Sequence, residues 1–343
     1  MYIDAHVHCR DEEQSDKETI AHALEVAKRA GVDAIFDMPN TERPVTDRRR
    51  VDERLALADA AKSSVFYGLY VGLTPNPEQV RDAVRIHSEY FPRVVGLKMY
   101  AGKSVGDLEI IKKEEQDEVY RALSDYRGVL AVHCEKESFM KPKIWNADNP
   151  ITHCRARPPE AEMESIKDQV ELAMRHEFPG TLHIVHISTP EGVEYVDKVR
   201  LNFNGTYGGL RICCGVTPHH LFFYDEMMRA DGGLLLKMNP PLRDRTRQAR
   251  MIELLREGKI DWVETDHAPH TLEDKRERHM SGVPWLGTWP DFMYRLERNG
   301  FSKKRLNEIG FDNAARTFGI NILKTDNRGT GGYLDYDASV SLV

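Results

Sequence analysis

Tyr2-Ile3-Asp4-Ala5-His6-Val7-His8-Cys9-Arg10 alternates apolar and polar side chains, the period of a β-strand. Side chains on a strand alternate faces, so His6 and His8 point the same way. Two imidazoles on one face at a strand's end can hold one metal ion, and a cation, Arg10, follows at once. Alone, such a pair reads more often as a strand with two satisfied histidines. Its weight depends on what the remaining chain brings to it.

Outward from this strand, short apolar runs alternate with longer amphipathic segments. The spacing predicts a helix over residues 18–30, stopped by Gly31, and a strand over 32–38 that ends in Pro39-Asn40-Thr41. Further strands are expected over 64–71, 94–100, 128–133, 181–186, 209–214 and 260–265, with helices around 51–61, 77–90, 115–124 and 159–176. The irregular segment 136–159, with Pro, Asn and Trp, reads as a functional loop. Eight strands alternating with helices predict an α/β fold, a (β/α)8 TIM-type barrel. An open doubly wound sheet would usually carry a glycine-rich turn after its first strand, where this chain has histidines and Arg10. Asp326-Asn327-Arg328-Gly329-Thr330-Gly331-Gly332 punctuates the chain. The expected division is a barrel over 1–326 and a short C-terminal β segment over 327–343.

The 343 residues are 41% hydrophobic and 30% charged, which suits one large globular unit with a substantial core. A net charge of -7, with no basic block interleaved with aromatics, argues against a nucleic-acid partner. Arg48-Arg49-Arg50 reads as a solvated helix start. No apolar run is long enough to span a bilayer, and the first residues enter a strand without a charged-then-apolar leader. Five cysteines without framework spacing fit a reducing cytoplasm.

In such barrels chemistry sits at the carboxyl ends of the strands. Those ends carry His6, His8, Lys98, His133, His186 and Asp266. Each alone reads as structural; five strands delivering ligand-type residues to one rim is a much rarer accident. Lys98 is the most informative, because it stands inside an apolar run where an unpaired ammonium is costly and burial lowers its pKa. A buried salt bridge, a Schiff-base lysine and a carbamate formed with carbon dioxide are its three plausible fates. The carbamate, a two-oxygen anion able to bridge two ions, is preferred, since a Schiff-base lysine has no need of four histidines and an aspartate. Imidazole and carboxylate donors suit zinc, with manganese, cobalt or iron as alternatives. Two ions about 3.5–4 Å apart can share a hydroxide that is nucleophilic near neutral pH. Asp266 could then carry its proton to a leaving nitrogen.

The motifs follow in order: His6-Val7-His8-Cys9-Arg10, Met38-Pro39-Asn40-Thr41, Gly96-Leu97-Lys98-Met99-Tyr100, His133-Cys134-Glu135, His183-Ile184-Val185-His186, Thr217-Pro218-His219-His220-Leu221, Asn239-Pro240-Pro241-Leu242-Arg243 and Asp266-His267-Ala268-Pro269-His270-Thr271. In these the chain resembles the dihydroorotases of the amidohydrolase superfamily, from the first strand to about residue 290. The resemblance implies a distorted barrel with a binuclear metal site: His6, His8 and Asp266 on one ion, His133 and His186 on the other, and carboxylated Lys98 bridging two divalent ions, zinc foremost. It implies reversible cyclisation of N-carbamoyl-L-aspartate to L-dihydroorotate in pyrimidine synthesis. Arg10, Asn40 and His270 would grip the α-carboxylate, a group suited to a bidentate guanidinium. Asn239 is a weaker candidate for ring contacts, Gly282-Val283-Pro284 reads as the loop whose backbone meets the ring, and His219 and His220 read as structural. Taken singly, Arg10 could be a rim salt bridge and Asn40 or Asn239 plain turn residues.

Two departures from the family stand out. Relatives often carry a glutamate at the position of Gly215, and they usually build a small β-domain from both termini, so here an abbreviated C-terminal appendage is expected. The alternatives are a related cyclic amidase (hydantoinase, dihydropyrimidinase or allantoinase) and a non-catalytic dihydroorotase-like paralogue acting as a scaffold. Arg10 argues against the former, because neutral rings offer no carboxylate. The intact ligand set argues against the latter. A cytoplasmic enzyme with a small-molecule substrate is expected, either as a homodimer or associated with other pyrimidine-pathway enzymes.

Overall fold

The computed structural model describes residues 1–103, 108–203 and 207–320. Among them, eight parallel strands pair in chain order: β1 (Tyr2–Val7), β2 (Val32–Asp37), β3 (Phe66–Gly72), β4 (Val94–Ala101), β5 (Val129–Cys134), β6 (Thr181–Ile184), β7 (Arg211–Val216) and β8 (Trp262–Val263). Parallel neighbours cannot be joined by a hairpin, and every connection carries a helix, as the barrel requires. Helix Pro77–Tyr90 matches its expected span. Asn76 caps it by accepting from Glu78 N, and Pro77 occupies the first turn, where a missing N–H costs nothing.

Two apolar layers hold the sheet. Ile3, Ala5, Phe36, Tyr70, Ala131 and Trp262 pack inside the barrel. Val7, Leu24, Ile35, Leu97, Val132 and Ile184 pack between strands and helices. The register of β1 against β2 shifts between Asp4 and Val7. Ile3 and Ala5 therefore face inward low in the barrel, while Val7 faces outward and the His6 and His8 rings sit together 5.2 Å apart at the rim.

Three expectations need correcting. The eighth strand spans Trp262–Val263 rather than 260–265. Thr265 leaves the ladder because its N–H and hydroxyl both donate to the Asp4 carboxylate, at 2.9 and 2.5 Å. The barrel closes beyond it through a bridge between Val7 and His267, with His8 N donating to His267 O at 2.7 Å. The seventh strand lies two residues later than its spacing suggested. Arg50 is not solvated: it is buried and donates to Glu12 at 2.6 and 2.8 Å. The expected C-terminal β segment, 327–343, lies outside the described residues. All five cysteines are free thiols. No helix among the described residues is long and apolar enough to cross a membrane.

Candidate active site

The ends of β1, β4, β5 and β6 and the loop after β8 converge on a cleft of about 460 Å³. His6 Nε2 and His8 Nε2 lie 3.4 and 3.0 Å from Asp266 Oδ1, so these three side chains offer donor atoms within 4.8 Å of one another. Across the rim, His133 Nδ1 is 3.0 Å from His186 Nε2. The His6 and His186 rings are 5.0 Å apart, so the two groups adjoin. Burial lowers the pKa of all four imidazoles, leaving them neutral at physiological pH, the form that binds metal.

Lys98 is fully buried and its Nζ has no hydrogen-bond partner. It rests 4.9 Å from the centroid of the Tyr100 ring, and burial pulls its amine down to about 7. Of the fates considered, the simple salt bridge is absent: no carboxylate among the described residues pairs with it. A buried amine with no hydrogen-bond partner beside converging imidazole and carboxylate donors fits a divalent metal site. Tyr100 Oη, also buried and unpartnered, faces the same cleft.

Other side chains orient the donors. Asn40 Oδ1 lies 2.8 Å from His8 Nδ1. Glu135 Oε2 lies 3.3 Å from His133 Nε2, and Arg157 Nε donates to both Glu135 oxygens at 3.1 Å. Burial pushes the Glu135 carboxyl up, but Arg157 and His133 outweigh it and hold it well below the usual carboxylate range. Glu264 Oε1 accepts from His186 N at 2.6 Å.

Of the anion-binding candidates, Arg10 and His270 meet each other, while Asn40 sits against His8. Arg10, 4% exposed, donates through Nε to Pro269 O at 3.2 Å and has Nη2 3.3 Å from His270 Nε2. Asn239 Oδ1 lies 3.0 Å from His153 Nε2 and accepts from Ser281 Oγ at 3.3 Å. Gly282 has φ +141°, and a Cβ there would stand 2.6 Å from Ala268 O, so only glycine lets this backbone border the cleft. Of the ten residues singled out from the sequence, eight line the cleft, namely His6, His8, Arg10, Asn40, His133, His186, Asn239 and Asp266. Lys98 and His270 lie behind its surface. His219 and His220 do not line it; His220 is held by Thr217 Oγ1 at 2.8 Å and Pro240 O at 3.1 Å.

Sequence reading missed the orienting carboxylates. Glu135 stood in a quoted motif without a role. Glu264 interrupts an apolar run as Lys98 does, a signal that would have found it.

Fold and site together define a metal-dependent amidohydrolase of the barrel type. No family model matches the chain. Among curated proteins it is 34% identical over 324 residues to the dihydroorotase of Halobacterium salinarum, covering 93% of this chain and 71% of that one. It is 31% identical over 322 residues to that of Thermococcus kodakarensis, covering 93% and 68%. Among solved structures, the L-hydantoinase (dihydropyrimidinase) from Arthrobacter aurescens superposes with a TM-score of 0.80 at 24% identity, covering 93% of this chain and 70% of that one. A dihydroorotase from Saccharomyces cerevisiae gives 0.75 at 17%, covering 94% and 84%. The chain belongs to the dihydroorotase family.

Proposed function

We propose that this enzyme interconverts N-carbamoyl-L-aspartate and L-dihydroorotate, a step of pyrimidine synthesis, with two divalent ions at the cleft. The observation that carries the choice of substrate is the pairing of buried Arg10 with His270 beside the metal-type donors. A cation placed there demands an anion, and dihydroorotate carries a carboxylate on its ring where hydantoin and dihydrouracil do not.

His6, His8 and Asp266 would hold one ion, His133 and His186 the other, and Lys98 as a carbamate would bridge them. When bound, the ions, zinc being the expected metal, supply Lewis-acid polarisation of the scissile carbonyl and acidify water. Arg10, Asn40 and His270 fix the ring by its carboxylate, with Asn239 and the Gly282 backbone along the ring. In that pose the ring amide carbon would face Asp266. In ring opening, water oxygen bonds to the amide carbon, Asp266 takes the proton, and the C–N bond to the ureido nitrogen breaks. Asp266 returns the proton to that nitrogen, so the products balance as N-carbamoyl-aspartate. Cyclisation is the reverse.

The test is the ultraviolet change on mixing zinc-supplemented protein with L-dihydroorotate, beside a chelated control and beside hydantoin. Turnover of dihydroorotate that chelation abolishes supports the reading. Turnover of hydantoin alone would replace it with a hydantoinase, and bound metal without turnover of either would remove it. Lys98→Ala is expected to lose most activity and at least half the bound metal; unchanged metal content would refute the carbamate bridge.

A further inference from the structure

Glu264 is fully buried, and no lysine or arginine among the described residues pairs with it. A buried carboxylate without a cation is costly unless every oxygen is engaged. Oε1 accepts from His186 N at 2.6 Å and lies 3.9 Å from His6 Nδ1, too far for a hydrogen bond. Oε2 accepts from Trp262 Nε1 at 3.0 Å and lies 3.1 Å from His183 Nε2. The carboxylate therefore holds the backbone of His186 after β6 and lies beside the His6 ring of β1 without bonding to it.

The space for it comes from the neighbouring strand. A Cβ at Gly215 would stand 2.3 Å from the Glu264 carboxyl carbon and Oε1, closer than any side chain tolerates. Gly215 is in the ordinary extended region, so its lack of a side chain answers to this carboxylate and not to backbone strain. His186, by contrast, has φ +37°, a conformation non-glycine residues rarely adopt. Its N–H donates to Glu264 at that turn, between the backbone bonds of Val185 and Ile187.

We propose that Glu264 is a positioning residue for the metal site, its carboxylate filling the place left by Gly215 and fixing His186, through its backbone N–H, beside the ring of His6. This rests on the metal-site reading above. Residues that orient metal ligands alter affinity by about 10- to 100-fold when replaced.

The experiment strips the purified chain of metal and titrates zinc against a competing chelating indicator, for the parent, Glu264→Gln, Glu264→Ala and the double variant Glu264→Ala/Gly215→Glu. Circular dichroism confirms folding in each. Glu264→Gln keeps the shape and is expected to weaken zinc binding by about tenfold or more. The double variant returns a carboxylate to the same space from β7 and is expected to bind more tightly than Glu264→Ala. The inference is overturned if Glu264→Gln binds zinc within about twofold of the parent, or if the double variant binds no better than Glu264→Ala. Should Glu264→Ala not fold, the Glu264→Gln comparison decides. A parent that takes up no zinc would instead defeat the metal-site reading itself, which separates the two failures.

Discussion

In the proposed reaction, Arg10 is the residue that would choose among cyclic amides. Its guanidinium is nearly buried and steadied by Pro269 O and His270, so a charge-assisted contact to a carboxylate there is worth about 1.5–3 kcal/mol. Arg10→Met is expected to raise KM for dihydroorotate by about 10- to 100-fold and to leave zinc content at the parent value. Steady-state kinetics beside elemental analysis check both, and an unchanged KM would remove the carboxylate role. At this scale the sequence was informative where polarity contradicted context. Lys98 in its apolar run and the paired histidines announced themselves. Arg10 stood out beside them, but its carboxylate role came only through the family motif, and Glu135 was given no role, because its partner Arg157 lies 22 residues further on with no local sign that the two meet.

Elements show why Arg10 is where it is. The turn after β1 takes three consecutive non-glycine residues through positive φ: Arg10 at +20°, Asp11 at +80° and Glu12 at +51°. Such a turn persists only when its surroundings hold it. The helix Arg48–Ala60 does so: Arg54, fully buried, donates to Arg10 O and Cys9 O and pairs with Asp37 Oδ2 at 2.5 Å. Asp37 in turn accepts from Cys9 N at 2.8 Å. Arg54→Met strands that carboxylate, which costs about 3–5 kcal/mol, and releases the turn. A lowered Tm together with a raised KM is expected, measured by thermal unfolding and kinetics; a lowered Tm with unchanged KM would mean the helix does not position Arg10. Helices were the legible elements, since capping and proline signals are local, as at Asn76-Pro77. The eighth strand was over-read because nothing local shows that Asp4, 261 residues away, captures Thr265.

Across the whole molecule, burial depresses histidines that play no part in the cleft's metal-type donor set. His87 is lowered to about 4, and His153 and His220 each to about 3. Their folded pKa values lie below the unfolded value near 6.5, so unfolding takes up protons once pH falls below about 6.5, and stability drops from there toward pH 4. Tm is expected to be several degrees lower at pH 5 than at pH 7. His87→Phe, which keeps the ring packing against Tyr126 at 5.2 Å, should make the decline shallower. A Tm that holds steady on acidification contradicts this. The barrel itself was legible from the βα alternation, but its closure was not, because the seam is made by a carboxylate and a single bridge instead of a full ladder.

That seam also has a history in time. His8 and Asp266 are 258 residues apart in the chain, and they meet only across the join between β1 and the loop after β8. A ribosome adds the aspartate only 258 residues after the imidazole of His8. During translation this cluster of donors is thus completed late, and a nascent chain that stalls before residue 266 holds imidazoles whose aspartate partner has yet to be made.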